Sequence, residues 1–409
     1  MAARKSKIAE PVARSSKRDI IEALKADINK RYAGKGVMMR GDEYEAPFMV
    51  LRRPSGILEL DLACGGGLPT GGVSEIIGPE SSGKSSLLNL YFRRQQELQG
   101  EEAVLGIAMT EQPYDKGHAK FNCGVEIALH AKEVTVFERK NGSLSDEKRA
   151  SLSRQIGYFE EFEAGTAEVL YEMILDALES GAFDIIGIDS WGALLTEYED
   201  DNALTSGNKP GGSAGINARF ATKIASMMTV PRDSRRNYTS IVGINQYRDN
   251  IGHSNAMASQ MTNMKVSGGW ALRHLKLLSI YLEGGALWDK VDGKNVKLGR
   301  KVKWTIMKGK AGCSDGATGE FNILYGKGID ILSANLMTAV RQGVAVQKGA
   351  WIQLVDSDGK EILKANGRDR LIEELEKDPE VAKVMEEEVL KAAARDSDSL
   401  VLNYRPLPD

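Results

Sequence analysis

Eight consecutive residues, Gly78, Pro79, Glu80, Ser81, Ser82, Gly83, Lys84 and Ser85, carry the glycines, lysine and hydroxyl of a complete Walker A pattern. The chemistry such a pattern suits is recognition of a nucleoside triphosphate. Backbone N–H groups of the turn and of the following helix N-terminus, Ser86 included, point into one concavity that favours polyanions. Lys84 reaches the β- and γ-phosphates, and the Ser85 hydroxyl offers Mg²⁺ the hard oxygen it prefers. The flanks fit, because residues 73–77 read as a short buried strand and residues 86–92 open a helix.

Hydrolysis needs a second carboxylate for the metal and a base for water. Asp189 ends the apolar run 185–188 and reads as the Walker B carboxylate, holding Mg²⁺ through water. Glu111 follows the apolar run 103–109 and is the candidate to orient and deprotonate the attacking water. A third run, 240–246, ends in Asn245 and Gln246. In an open parallel sheet ligands bind outside the strand C-termini, so these polar ends are expected to converge on the nucleotide.

The elements that must position them follow from the pattern. Strands 103–109, 184–189 and 240–246 alternate with helices, the signature of a parallel α/β sheet. After Ala271, strands 275–282, 302–308 and 320–324, separated by glycine-rich turns, predict an antiparallel extension. Residues 331–394 read as a small α/β domain with a hairpin near 351–362 and helices over 370–377 and 379–394, and 395–409 as a disordered tail. Near the start, Ile21, Leu24, Ile28 and Tyr32 share one helical face over 17–32, with Ser16 and Asp19 spaced as a capping box and Gly34 as the stop. That stripe needs a partner, its own domain or another subunit. The division is therefore 1–45 (basic arm and docking helix), 46–330 (core), 331–394 and 395–409. Residues 132–158 read as a surface insertion with a short helix, and 198–215 and 247–268 as long functional or disordered loops.

Composition narrows the partners. Across 409 residues, 54 basic and 57 acidic side chains leave a net charge of −3, so any nucleic-acid contact must come from local clusters. Cys64, Cys123 and Cys313 have no metal-site spacing and read as reduced thiols of a cytoplasmic protein. No apolar run approaches the ~18 residues of a membrane span. The N-terminal arm (Arg4, Lys5, Lys7, Arg14, Lys17, Arg18) has no apolar stretch after it, unlike a secretory signal.

At this point the chain resembles the RecA-type recombinases. The resemblance rests on RYAGKG (31–36) with Met39 and Arg40, GGLP (66–69), GPESSGKS (78–85), IDS (188–190), INQ (244–246), SGG (267–269), KGK (308–310) and ILYGKGI (323–329), in that order. It implies a RecA-like P-loop ATPase core that uses ATP and Mg²⁺. It also implies a homo-oligomeric helical filament on single-stranded DNA, pairing it with a homologous double-stranded DNA and exchanging strands.

By the same resemblance Glu111 is the catalytic glutamate, Asp115 contacts adenine, and His118 stands where an aromatic often stacks on the base. Gln246 senses the γ-phosphate, and Lys308 and Lys310 reach the ATP of the neighbouring subunit. The two long loops become DNA-binding loops. Arg219 and Arg248 supply charge for phosphates, Ile251 is an apolar wedge, and the backbone around Gly211, Gly212, Gly268 and Gly269 contacts phosphates.

Departures mark a divergent member, with a phage-encoded one among those that fit. The second loop is long, has Asp249 and Asn250 where basic residues are usual, and carries Met257, Met261 and Met264 without an aromatic. The tail lacks a strongly acidic run. Two alternatives share the core: an ATP-dependent coating protein for single-stranded DNA, which Glu111 and Asp189 argue against, and a ring helicase. The N-terminal helix and the Lys308/Lys310 pair favour the filament, since a head-to-tail interface that does not close gives an open helix.

Overall fold

The computed structural model describes residues 17–33, 38, 51–141, 144–191, 196–197, 212–229, 237–249, 264–266, 273–291, 293–310 and 312–395. The chain divides into two compact units, Met1–Phe48 with Arg232–Arg235, and Met49–Pro231 with Arg236–Asp409. In the first, α1 (Lys17–Arg31) ends with an Arg31–Asp27 ion pair of 2.6 Å, one turn apart. The Asn29 amide then exchanges two hydrogen bonds with the backbone of Met38 (2.9 and 2.6 Å). Ile20, Ile21 and Leu24 are exposed. Ser16, Gly34 and the residues of the basic arm before Lys17 lie outside the described residues.

The second unit opens with β1 (Arg52–Arg53), α2 (Leu58–Ala63) and β2 (Leu68–Pro69), then builds a sheet from β3 (Gly72–Gly78), β4 (Val104–Met109), β5 (Tyr158–Phe162), β6 (Ile185–Asp189) and β7 (Ser240–Asp249). It continues through β8 (Met264–Val266), β9 (Lys276–Val291), β10 (Lys294–Gly309), β11 (Thr318–Leu324) and β12 (Gly328–Ile329). Its order is β12-β11-β10-β9-β3-β7-β6-β4-β5, with β8 paired to the far end of β7. From β9 to β5 neighbours run parallel, and the extension through β12 is antiparallel.

The period-two alternation of a strand feeds two cores. Ile185, Val242 and Ile244 pack with Leu87, Leu88, Tyr91 and Phe92 of α3 (Lys84–Gln99). Ile186, Ile188 and Ile241 face the other way, onto Leu170, Ile174 and Leu178 of α6 (Ala167–Ser180) and Phe220 and Ile224 of α7 (Gly212–Thr229). Buried on both faces, these strands read as continuous apolar runs.

A third core joins Leu58 of α2 to the C-terminal elements. These are α8 (Ile331–Arg341), β13 (Ala345–Lys348), β14 (Trp351–Val355), β15 (Glu361–Asn366), α9 (Arg368–Lys377) and α10 (Pro379–Arg395). Asn335 clasps this module to the rest, accepting from Leu58 N and donating to Gly56 O, both at 2.9 Å.

Several expectations are corrected. The stretch 132–158 holds two helices, α4 (Ala131–Asn141) and α5 (Asp146–Ser153), and leads into β5, which completes the parallel sheet. The glycine pair at 284–285 is no turn: β9 runs straight through it to Val291, which pairs with Lys294 of β10. Residues 212–215 belong to α7 and not to a loop, because the helix starts at Gly212. The second long loop is bounded by structure, with Arg248 and Asp249 in β7 opposite Lys265 and Met264 in β8. The C-terminal module has a third helix, α8, and a third strand, β13. Arg395 is the last residue of α10, and 396–409 lie outside the described residues.

Candidate active site

The phosphate loop is the turn between β3 and α3. Gly83 (φ +95°) and Ser81 (φ +57°) both adopt left-handed backbone there. A side chain at Gly83 would also meet Ile323 Cδ1 at 2.6 Å, so the residue has two reasons to be glycine. Helix α3 begins at Lys84, two residues before the expected opening at Ser86, which places the Lys84, Ser85 and Ser86 amides among its unpaired N–H groups. Lys84 Nζ donates to Gly78 O (3.0 Å) and Pro79 O (2.7 Å). Burial pushes its pKa down, partly opposed by Asp189, Glu111 and Glu80. Ser82 Oγ is buried without a partner among the described residues.

Strand register assembles the opposite rim. Met109 pairs with Asp189, Asp189 with Ile244, and Gly78 with Gln246, so four strand ends share one edge. Ser85 Oγ donates to Asp189 Oδ2 at 2.8 Å. Burial first, and Glu111 after it, push the Asp189 carboxyl up, against the Ser85 hydrogen bond and Lys84. Glu111 is held between Ser190 Oγ (2.6 Å to Oε1) and Gln246 Nε2 (3.4 Å to Oε2). Thr110 fixes Ser190 in turn: its Oγ1 donates to Ser190 O and accepts from Ser190 N, both at 2.8 Å. Trp191 then lies across Gly243, where any Cβ would fall 1.4 Å from the indole nitrogen.

Beside the loop, Asp115 Oδ1 accepts from His118 N (2.8 Å), and His118 Nε2 stands 3.3 Å from Ser86 Oγ. Tyr114 anchors this segment by donating to Asn89 Oδ1 (2.5 Å) and stacking on Phe159 at 5.3 Å.

Lys308 and Lys310 are not brought to this rim. Lys308 pairs with Ser279, which pairs with Glu75, three residues before Gly78 on β3. Lys308 Nζ donates to Arg273 O (2.6 Å) and Lys310 Nζ to His274 O (3.3 Å). Burial pushes the Lys308 pKa down, helped by Lys310 and Lys276.

The family profile described as RecA N-terminal domain matches residues 18–131. The chain is 30% identical over 364 residues to Protein RecA of Nocardioides sp., covering 87% of this chain and 89% of that one. The chain belongs to the RecA family.

Two further Protein RecA sequences, from Picosynechococcus sp. and Thermotoga neapolitana, are 29% and 25% identical over 92% and 91% of this chain, covering 93% and 92% of theirs. These identities make it a divergent RecA-family member. Among the remaining expected residues, Arg219 is exposed on α7, in a cleft between α6 and α7 with Glu168, Tyr171 and Lys223. Gly212 opens α7, and Arg248 lies in β7 opposite Lys265. Gly211, Ile251, Gly268 and Gly269 lie outside the described residues.

Residue patterns missed two features of this RecA-family site. Ser190, already marked within IDS (188–190), and Thr110 together set the position of Glu111, and only the adjacency of each to a flagged carboxylate hinted at those contacts. Glu75 is buried under the rim, paired with Lys276 (2.5 Å) and accepting from Asn245 Nδ2 (3.0 Å) and Ser279 Oγ (3.1 Å). Asn245 Oδ1 in turn accepts from Gln246 N at 2.9 Å. A glutamate inside an apolar strand run is the one signal that pointed there.

Proposed function

We propose that this chain is a cytoplasmic DNA-dependent ATPase that assembles as a helical homo-oligomer on single-stranded DNA, pairs it with a homologous duplex and exchanges strands. The observation that carries this is Glu111, held by Ser190 and Gln246 on the rim facing a complete phosphate loop. Glu111 takes the proton of a water that attacks the γ-phosphorus, and ADP leaves. Lys84, whose Nζ rests on two carbonyls of the loop, exchanges them for phosphate oxygens. The hydroxyl of Ser85 and carboxylate of Asp189 form a hard-oxygen pair that fits Mg²⁺, which neutralises charge on the phosphates when bound. The long Gln246–Glu111 contact leaves the amide available to a γ-phosphate oxygen, and β7 carries that exchange directly into residues 250–263, the proposed second DNA loop.

The domains follow: 1–45 for docking and 46–330 for catalysis, with DNA-binding loops at 198–211 and 250–263, the expected stretches as bounded by α7, β7 and β8. Arg219, Arg248, Ile251 and the glycines 211, 212, 268 and 269 touch DNA within or beside these loops. Residues 331–394 form the C-terminal domain and 395–409 the tail. Asp115 and His118 flank the base.

Phosphate release measured with and without single-stranded DNA, beside electron microscopy with a non-hydrolysable ATP analogue, tests this. Hydrolysis should rise with DNA, helical filaments should form, and Lys84→Ala should abolish both while the protein still folds. Filaments without hydrolysis would indicate a coating protein, and closed rings a helicase-like assembly.

A further inference from the structure

One cation at the phosphate loop belongs to no sequence motif. Arg300, on β10, donates from its guanidinium to Ser81 O at 2.7 Å. Ser81 is the one non-glycine residue with positive φ among the described residues, so its peptide is turned in a way that ordinary loop residues avoid. The guanidinium lies on the carbonyl that this unusual turn presents.

The strand is built to deliver it. The β9–β10 register shifts between Lys297 and Gly299, one residue before Arg300. A bulge of this kind re-aims the side chains that follow it. Gly299 permits the bulge to press against β11, because a Cβ there would stand 2.0 Å from Ile323 O. Past Arg300, Val302 and Ile323 approach Gly83, at 3.5 and 2.6 Å from where its Cβ would be, so the antiparallel extension forms a wall behind the whole loop.

From this we propose that Arg300 is a positioning residue that clamps the phosphate loop from behind and pre-shapes its N–H groups for a triphosphate. The inference rests on the nucleotide-binding reading above. Among the described residues two cations hold the loop: Lys84 on the carbonyls of Gly78 and Pro79, and Arg300 on that of Ser81. Their fates differ. Lys84 leaves its carbonyls for phosphate, whereas Arg300 keeps its place and holds the tip still. Pre-organisation of this sort lowers the cost of binding rather than the barrier of the chemical step.

Arg300→Ala and Arg300→Lys are compared with wild type in two measurements. In nucleotide-free protein, amide hydrogen exchange of Leu87, whose N–H donates to Gly83 O of the loop at 2.9 Å, should quicken about tenfold in Arg300→Ala, while exchange in β4 and β6 stays unchanged, which shows the fold is intact. In steady-state hydrolysis the KM for MgATP should rise about five- to tenfold with kcat nearly unchanged, and Arg300→Lys should recover part of both effects by restoring a donor without the fork. Unchanged exchange at Leu87 in Arg300→Ala overturns the clamp. A fall in kcat at constant KM overturns it too, since that would put Arg300 in the chemical step. Failure of wild type to bind ATP would refute the nucleotide reading instead, and the exchange measurement, made without nucleotide, would still decide the clamp.

Discussion

Glu111 shows what a single residue needs in order to act. Its type and its place after an apolar run marked it in the sequence, yet those features alone do not aim a carboxylate. Aim comes from Ser190 Oγ on one oxygen and Gln246 Nε2 on the other, and Ser190 is itself fixed by two hydrogen bonds to Thr110. Glu111→Gln keeps the shape and loses the base. Nucleotide binding and filament assembly should therefore persist while phosphate release falls about 10²- to 10⁴-fold, the range of general-base catalysis. Rapid turnover of filaments by that variant would remove Glu111 from the role. Ser190 was marked in the sequence within IDS (188–190), but its hold on Glu111, and the part of Thr110, were not legible, because hydroxyl residues at strand ends are too common to signify without a register, and Met109 opposite Asp189 is what makes them meet.

Among elements, legibility followed the number of contacts that decide each one. Strands β3, β4, β6 and β7 were readable because both their faces are buried, which leaves an unbroken apolar run. Strand β5 was not: it is the edge strand, with only Phe162 buried, and Tyr158 and Glu160 are exposed. The long hairpin hid behind Gly284 and Gly285, residues that usually punctuate strands.

The short helix α2 carries a consequence of its own. Asp61 is fully buried and accepts from Ser55 N, Ser55 Oγ and Gly56 N, each at 2.8 Å. Burial outweighs these bonds and pushes its pKa from 3.8 up to about 6. The folded state thus holds this proton more tightly than the unfolded chain, so the contribution is fully present below pH 3.8 and lost as pH rises through 6. Between pH 4 and pH 7 the loss is about 2 kcal/mol. Asp61→Asn carries no such proton. Urea unfolding of both proteins across that range should show wild type losing stability relative to the variant as pH rises, and parallel curves would contradict the shift.

At the scale of the whole molecule the sheet carries candidate site residues at two ends. One end carries the phosphate loop, Asp189, Glu111 and Gln246, and the other carries Lys308 and Lys310 on the carbonyls of Arg273 and His274. Strand β10 spans the distance, with Arg300 at the loop and Lys308 eight residues further along. Such polarity suits a head-to-tail contact in which each subunit offers its lysines to the next subunit's triphosphate. In that arrangement Lys308→Ala with Lys310→Ala leaves each phosphate loop intact, so ATP should still bind, but DNA should no longer stimulate hydrolysis, a loss of about 10³-fold or more if the lysines act as arginine fingers do elsewhere. Mixing decides the matter. Subunits carrying Lys84→Ala cannot hydrolyse ATP but keep both lysines, and beside the double-lysine variant on DNA they should restore hydrolysis in proportion to the fraction of mixed neighbours. Mixed filaments that form and stay inactive at every ratio would place the lysines within their own subunit or outside the reaction. Restored hydrolysis would establish that the catalytic unit is the junction between two copies of this chain.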